Sequence, residues 1–262
     1  MNKNKILCAL LKRDFFYSFK KNTVKSLSMI IILIIIFFIV INKFYSRENI
    51  SMSTIIFEIF KGISYEIDYS NLDFPIMWFF INSFIMFITA GYVNEDLKIN
   101  AVYLMSRCSR LVVWTSKILW IIITVIIYYT LVFLIIFIMG KFFHIGWESY
   151  SEWGNIRVST IKFLLDIFMI YVTTSITLCL FHSTLSLIID GNYSYIILII
   201  IILISVFTKS NLLPAQHSLL LRHEPFDLIY NLSVTKSLIY NLIASITLII
   251  ISRKLVLYKD II

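Results

Sequence analysis

Side chains able to do chemistry are few in this chain, and they form no familiar catalytic pattern. The four histidines are His144, His182, His217 and His223. His223-Glu224-Pro225 lacks the second histidine that a helical zinc-protease site needs for its metal. There is no Gly-x-x-x-x-Gly-Lys loop to cradle phosphates and no Gly-x-Ser-x-Gly nucleophile elbow. Cys8, Cys108 and Cys179 have no metal-binding spacing, and no structural disulfide is expected among them. The chain therefore reads as a non-enzyme, with no metal or cofactor of its own. Asp166 is the one acid inside an apolar run, and an acid at membrane depth often marks function. Lys162 stands one turn before it, near the expected outer interface, so pairing and snorkelling are the simpler expectation.

The second chemical group is a charged stretch. Glu95 and Asp96 open it, Arg107 and Arg110 close it, and Lys117 follows. Acids first and bases last suit a short helix, because the helix dipole favours anions at its N-terminus and cations at its C-terminus. Leu97, Ile99, Val102, Leu104 and Met105 make the stretch too apolar for a solvated linker. Such a helix needs the membrane surface or a groove on a partner to pack against.

The elements that carry these residues are set by hydropathy. The chain has 262 residues, 60% of them hydrophobic, and a mean hydropathy of +0.90. Uncharged apolar runs of this kind cross a bilayer as helices, since lipid offers no partner to an open backbone. The expected fold is all-α: a polytopic membrane protein with six transmembrane helices, at about 27–42, 74–93, 118–139, 161–189, 192–208 and 237–252. These spans use nearly the whole length and leave one transmembrane domain. The net charge of +8 belongs to the membrane ends, not to a nucleic-acid site, because no compact basic domain remains.

Orientation follows from the bases. Residues 1–26 hold Lys3, Lys5, Lys12, Arg13, Lys20, Lys21 and Lys25. Lys98, Arg107, Arg110 and Lys117 lie between the second and third spans, and Arg253, Lys254 and Lys259 lie in the tail. Acids such as Glu48, Glu58, Glu66, Asp68 and Asp73 favour the other side. The positive-inside rule puts both termini in the cytoplasm of a multi-pass cell-membrane protein. Trp147 and Trp153 fall in an outer loop, and Trp78, Trp114 and Trp120 near span ends, as interfacial tryptophans do. The basic segment before Leu27 is long and no cleavage site follows Phe38, so the first span is expected to stay in the mature chain.

Within residues 1–26, Leu7, Leu11, Phe15 and Phe19 recur every four residues among lysines. That pattern predicts an interfacial helix along the inner leaflet. Outside, Ser53 to Ile63 carries Ile55, Ile56, Ile59 and Ile63 on a possible amphipathic helix. Thr173, Thr174, Ser175, Thr177, Asn241 and Ser245 suit helix–helix packing. Spans dominated by Ile and Phe disfavour a hydrated ion pore and favour an amphipathic or lipid-like cargo.

Glu95-Asp96, the run Leu104-Met105-Ser106-Arg107-Cys108-Ser109-Arg110, and Lys117 at the start of the third span resemble the permease subunits of type-2 ABC exporters. The branch it resembles is the small permeases associated with peptide export or bacteriocin self-protection. The resemblance implies an N-terminal interfacial helix and a cytoplasmic coupling helix near 94–110. It also implies a segment between the last two spans that dips back toward the membrane, here 209–236 with Pro214, Pro225 and Leu219-Leu220-Leu221. It implies a second permease, identical or similar, and two separate ATPase subunits. Glu95, Asp96, Arg107 and Arg110 would be the coupling residues. The 94–110 stretch departs from the family in having almost no glycine. Two alternatives stand beside this reading: a non-transporting immunity protein that binds a toxic peptide, and an intramembrane enzyme using His182, Asp166 or Asp190.

Overall fold

The structure is a computed structural model that describes residues 3–44, 50–64, 74–148, 150–153, 156–227 and 232–258. Its helices are α1 (Lys3–Phe44), α2 (Met52–Phe60), α3 (Ile76–Arg107), α4 (Arg110–Phe142), α5 (Thr160–Ser186), α6 (Gly191–Phe207) and α7 (Val234–Tyr258). A two-stranded antiparallel hairpin, β1 (Tyr150–Trp153) and β2 (Ile156–Ser159), joins α4 to α5. Two 3-10 turns, Pro214–Ser218 and Leu220–Arg222, stand between α6 and α7. The chain is thus an all-α, multi-pass membrane protein in build. Glu48, Glu66, Asp68, Asp73 and Lys259 lie outside the described residues.

Among the described residues five helices, α1, α3, α4, α5 and α7, are long and apolar enough to cross a membrane. The expected span over 192–208 is α6, which has only 17 residues. At 1.5 Å per residue it reaches about 25 Å, less than the roughly 30 Å hydrocarbon layer. Every helix except α2 carries one uncharged stretch. On α1 it lies between Lys25 and Lys43, which is 17 residues or about 25 Å.

The helices alternate in direction between two ends. At the basic end, α1 meets α3 and α4 through Asp14, Asp96 and Lys117. At the hairpin end, Phe37 and Phe38 of α1 meet Phe143 just beyond α4. So α1 and α4 run parallel, with α3 antiparallel beside them. Thr174 and Thr177 of α5 face Asn241 and Ser245 of α7, so these two also run parallel.

The main core runs through the bundle, with Phe37, Ile85, Val125, Ile170, Leu198 and Leu219 all fully buried. Outside it Leu27, Ile31, Ile35, Leu134, Ile243 and Ile246 are exposed. An apolar rim around an apolar core is what a bilayer tolerates and water does not.

Two expected elements are not separate. Residues 1–26 do not form their own interfacial helix: Lys3–Phe44 is one 42-residue helix, about 63 Å long. The buried stripe of its first half is Leu10, Asp14, Ser18 and Asn22, while Phe19 is 73% exposed. The polar stripe is buried because α3 and α4 satisfy it. Nor is 94–110 a separate coupling helix. Helix α3 runs unbroken from Ile76 to Arg107, and the chain turns at Cys108–Ser109 into α4. The side chains of Leu97, Lys98, Ile99, Val102 and Met105 lie outside the described residues.

The tryptophans also differ from an interfacial belt. Trp78, Trp114 and Trp120 are each 1% exposed and point inward. Trp78 and Trp114 donate their ring N–H to Ser218 (2.9 Å) and Ser252 (3.0 Å), which removes the need for water. Trp147 is exposed, and the side chain of Trp153 lies outside the described residues.

At the hairpin end, α2 starts on Ser51, whose hydroxyl accepts the Thr54 N–H at 3.3 Å. It buries Met52, Ile55, Ile56, Ile59 and Phe60, matching the amphipathic reading of this segment. Gly62 then takes φ +70°, and Leu219 packs so close that an added Cβ would stand 2.4 Å from its Cδ2.

Candidate functional site

The most chemically loaded place lies at the basic end, where α1, α3 and α4 converge. Asp14 comes from α1, Tyr92 and Asp96 from α3, and Ser116 and Lys117 from α4. Asp14, Asp96 and Lys117 are each 1% exposed. Helical spacing brings them together: Tyr92 and Asp96 are four residues apart and so share one face of α3.

Lys117 is the hub. Its Nζ is 2.9 Å from Asp14 Oδ1 and 3.0 Å from the Tyr92 hydroxyl, and it bonds Asp96 Oδ2. Tyr92 donates to Asp14 Oδ1 at 2.8 Å and Ser116 to Asp14 Oδ2 at 2.8 Å. Asn100 donates to Asp96 Oδ1 at 2.8 Å. Arg13, partly exposed, reaches Asp14 at 2.9 Å and also pairs with Asp96.

Two cations and two carboxylates cancel, so the cluster is neutral. Four charges taken from water persist only when each is paired and hydrogen-bonded, and here each is. Burial alone would push the Asp96 carboxyl up. The Lys117 charge and hydrogen bond, with Asn100 and Arg13, outweigh it and hold Asp96 below the usual carboxylate range. Asp96 is thus held ionised, and the ion pairs around it clamp three helices together.

The four expected coupling residues do not form one site. Asp96 is at the centre of the clamp. Glu95 lies on the exposed side of α3 and pairs with Lys21 of α1. Arg107 and Arg110 flank the Cys108–Ser109 corner, eleven or more residues and about 16 Å further along. There a small second core of Leu10, Leu104, Val112 and Val113 ties the corner to α1. The Cys108 N–H bonds Leu104 O at 2.9 Å, and the Val112 N–H bonds Ser109 O at 3.0 Å.

The sequence reading does not single out Asp14 or Tyr92, counts Arg13 only among the bases, and uses Lys117 as an inner-face base and as part of the permease-like motif, not as the partner of buried acids. A signal was present: Asp14 is the lone acid among seven bases in residues 1–26, on the stripe Leu10-Asp14-Ser18-Asn22.

The other candidates hold corners. Asp190 caps α6 by accepting the Asn192 N–H at 3.1 Å. His182 Nε2 meets Ser194 Oγ at 3.1 Å, closing the α5–α6 turn. Asp166 sits sixteen residues from His182, about 24 Å along α5. No described ion pair joins Asp166 to Lys162 by direct contact, although the lysine's charge does act on the carboxylate one turn away.

A second polar group lies at the hairpin end, in the 3-10 turns. Arg222 is fully buried and donates to Ser205 O (2.8 Å), Thr208 O (3.1 Å) and Val206 O. Gln216 Nε2 donates to Thr208 O at 2.7 Å. Together they take up the last carbonyls of α6, which would otherwise stay open in apolar surroundings. Burial pushes His217 and His223 down to about 4, against the pull of backbone carbonyls at Asn211 and His217. The two imidazoles are therefore neutral near pH 7, and they do not converge on a metal site.

Comparison with protein-family models, with curated proteins and with solved structures finds no match.

Proposed function

We propose that this chain is the membrane-spanning permease subunit of an ABC-type exporter, moving a hydrophobic or amphipathic cargo such as a peptide. Two separate ATPase chains would supply the energy, and a second permease, identical or similar, would complete the pathway. The observation that carries the reading is the α3–α4 corner. It stands about 20 Å beyond Val93, where the apolar window of α3 ends, and carries Arg107 and Arg110. The clamp of Asp14, Asp96 and Lys117 would make α1, α3 and α4 move as one lever when an ATPase pushes that corner. By the positive-inside rule this end faces the cytoplasm, where ATP is.

The test is affinity purification of the tagged chain from its native membrane. The expected result is copurification of an ATPase that weakens sharply when Arg107→Glu and Arg110→Glu are combined. Association unchanged by that double reversal would remove the corner as the docking site. Repeated isolation without any nucleotide-hydrolysing protein would remove the exporter reading and favour a peptide-binding immunity protein.

A further inference from the structure

We propose that the cleft between α6 and α7 holds one hydrocarbon chain of an anionic phospholipid. The headgroup belongs to the leaflet at the Lys209–Lys236 end. The inference does not depend on an ATPase partner. Helices α6 and α7 both lean on α5 but hardly touch one another, which leaves a groove of about 320 Å³. Phe181 lies on its floor, Leu198 and Ile201 form one wall, Ala244 and Leu248 the other, and Pro214 closes one end. The walls lie within the uncharged stretches of α6 and α7, at the depth of acyl chains.

Size selects the occupant. From Tyr240 to Leu248 the wall runs about 12 Å, and the groove offers about 320 Å³ along it. A helix with side chains is 10–12 Å across and takes roughly 80–110 Å². A single extended hydrocarbon chain fits and a transmembrane helix does not.

Hydrogen bonding excludes an extended peptide. Three polar side chains line the groove, and each is already engaged. Thr177 bonds Ser245 Oγ (2.9 Å) and Asn241 O (3.1 Å). Thr247 donates to Ala244 O at 2.8 Å, and Tyr240 donates to Leu212 O. A peptide backbone there would leave its own amides open, and a hydrocarbon chain has none to leave.

Charge selects the headgroup. Lys209 follows directly on Thr208 at the end of α6, and Lys236 lies one turn before Tyr240 on α7. Both are exposed, and Lys236 stands 3.8 Å from Glu224. Lys209, with Lys236 shared with Glu224, leaves this end of the groove net positive, which suits a phosphate that carries a net negative charge.

The test uses the purified full chain with phosphatidylglycerol bearing a mid-chain diazirine, adducts being mapped by mass spectrometry. The expected adducts concentrate on 240–248 and 198–201. Ala244→Trp, or Thr247→Phe on the same wall, should abolish them while leaving adducts at the open α1 face, Ile31 and Ile35, unchanged. Lys209→Glu with Lys236→Glu should reduce cleft labelling by phosphatidylglycerol but not by a phosphatidylcholine probe with the same chains. Adducts spread evenly over α1 and the cleft, or untouched by both filling variants, would overturn the site. Equal loss of both lipids in the lysine variant would overturn the anionic headgroup. Capture of another polypeptide by a photoreactive residue placed at 244 would overturn the lipid occupant.

Discussion

Lys117 serves two carboxylates and a phenol at once, so its loss cannot be absorbed by a neighbour. Lys117→Met leaves Asp14 and Asp96 buried with Arg13 as the remaining charged partner. Breaking a buried pair from one side costs about 3–5 kcal/mol. The expected outcome is a clear drop in the unfolding midpoint in detergent. Adding Asp14→Asn should recover part of that loss, because two carboxylates then no longer face one cation. A double variant as unstable as the sum of its parts would mean the charges are not coupled. Arg222→Met should likewise open the last turn of α6 at a cost of about 1–3 kcal/mol, seen as faster amide exchange at Phe207 and Thr208. Gly62→Ala should destabilise the α2 exit, since alanine at φ +70° is strained and its Cβ meets Leu219. A thermal melt unchanged from wild type would contradict that.

At the scale of elements, the 3-10 turns and the clamp should respond to acid in sequence. His217 and His223 have folded values near 4, below the ordinary 6.5. Between these values the unfolded chain takes up protons that the folded one refuses, so stability falls as pH drops from about 6.5 to about 4. Groups facing these imidazoles include Tyr240 by stacking and Ser237 by a 3.1 Å contact, and Arg222, Glu224, Asp227 and Lys236 stand nearby in the chain. Asp96 has a lowered folded value, so its contribution is present above the ordinary carboxylate range and lost only below it. Amide exchange across a pH series should therefore loosen 214–223 first and the junction of α1, α3 and α4 last. The reverse order would show that the imidazoles are not the weak point.

For the whole molecule, the sequence made the class of fold legible because a 20-residue uncharged run has one outcome in lipid. Amphipathic α2 and the packing role of the α5–α7 hydroxyls were legible too, from periodicity and residue type. The independence of the first 26 residues was not. Leu7, Leu11, Phe15 and Phe19 form the most regular apolar repeat, yet Leu7, Leu11 and Phe15 only edge the cores and Phe19 is exposed, while the stripe buried deepest is Leu10, Asp14, Ser18 and Asn22. Periodicity weighs side chains by hydrophobicity and cannot see that Asp14 will meet Lys117 across 103 residues. The same blindness split 94–110 from its span. Acidic Glu95 and Asp96 look like a helix start until partners on α1 and α4 let the helix run through them.

By composition and charge spacing alone, the chain is committed to a helical, lipid-embedded body with most of its bases at one end, because the bilayer acts on each segment separately. Which polar residues lie inside, and which helices are tied together, was decided only by tertiary structure. A buried charge is tolerated or forbidden by what stands within about 3 Å of it, and that neighbour comes from a distant part of the chain.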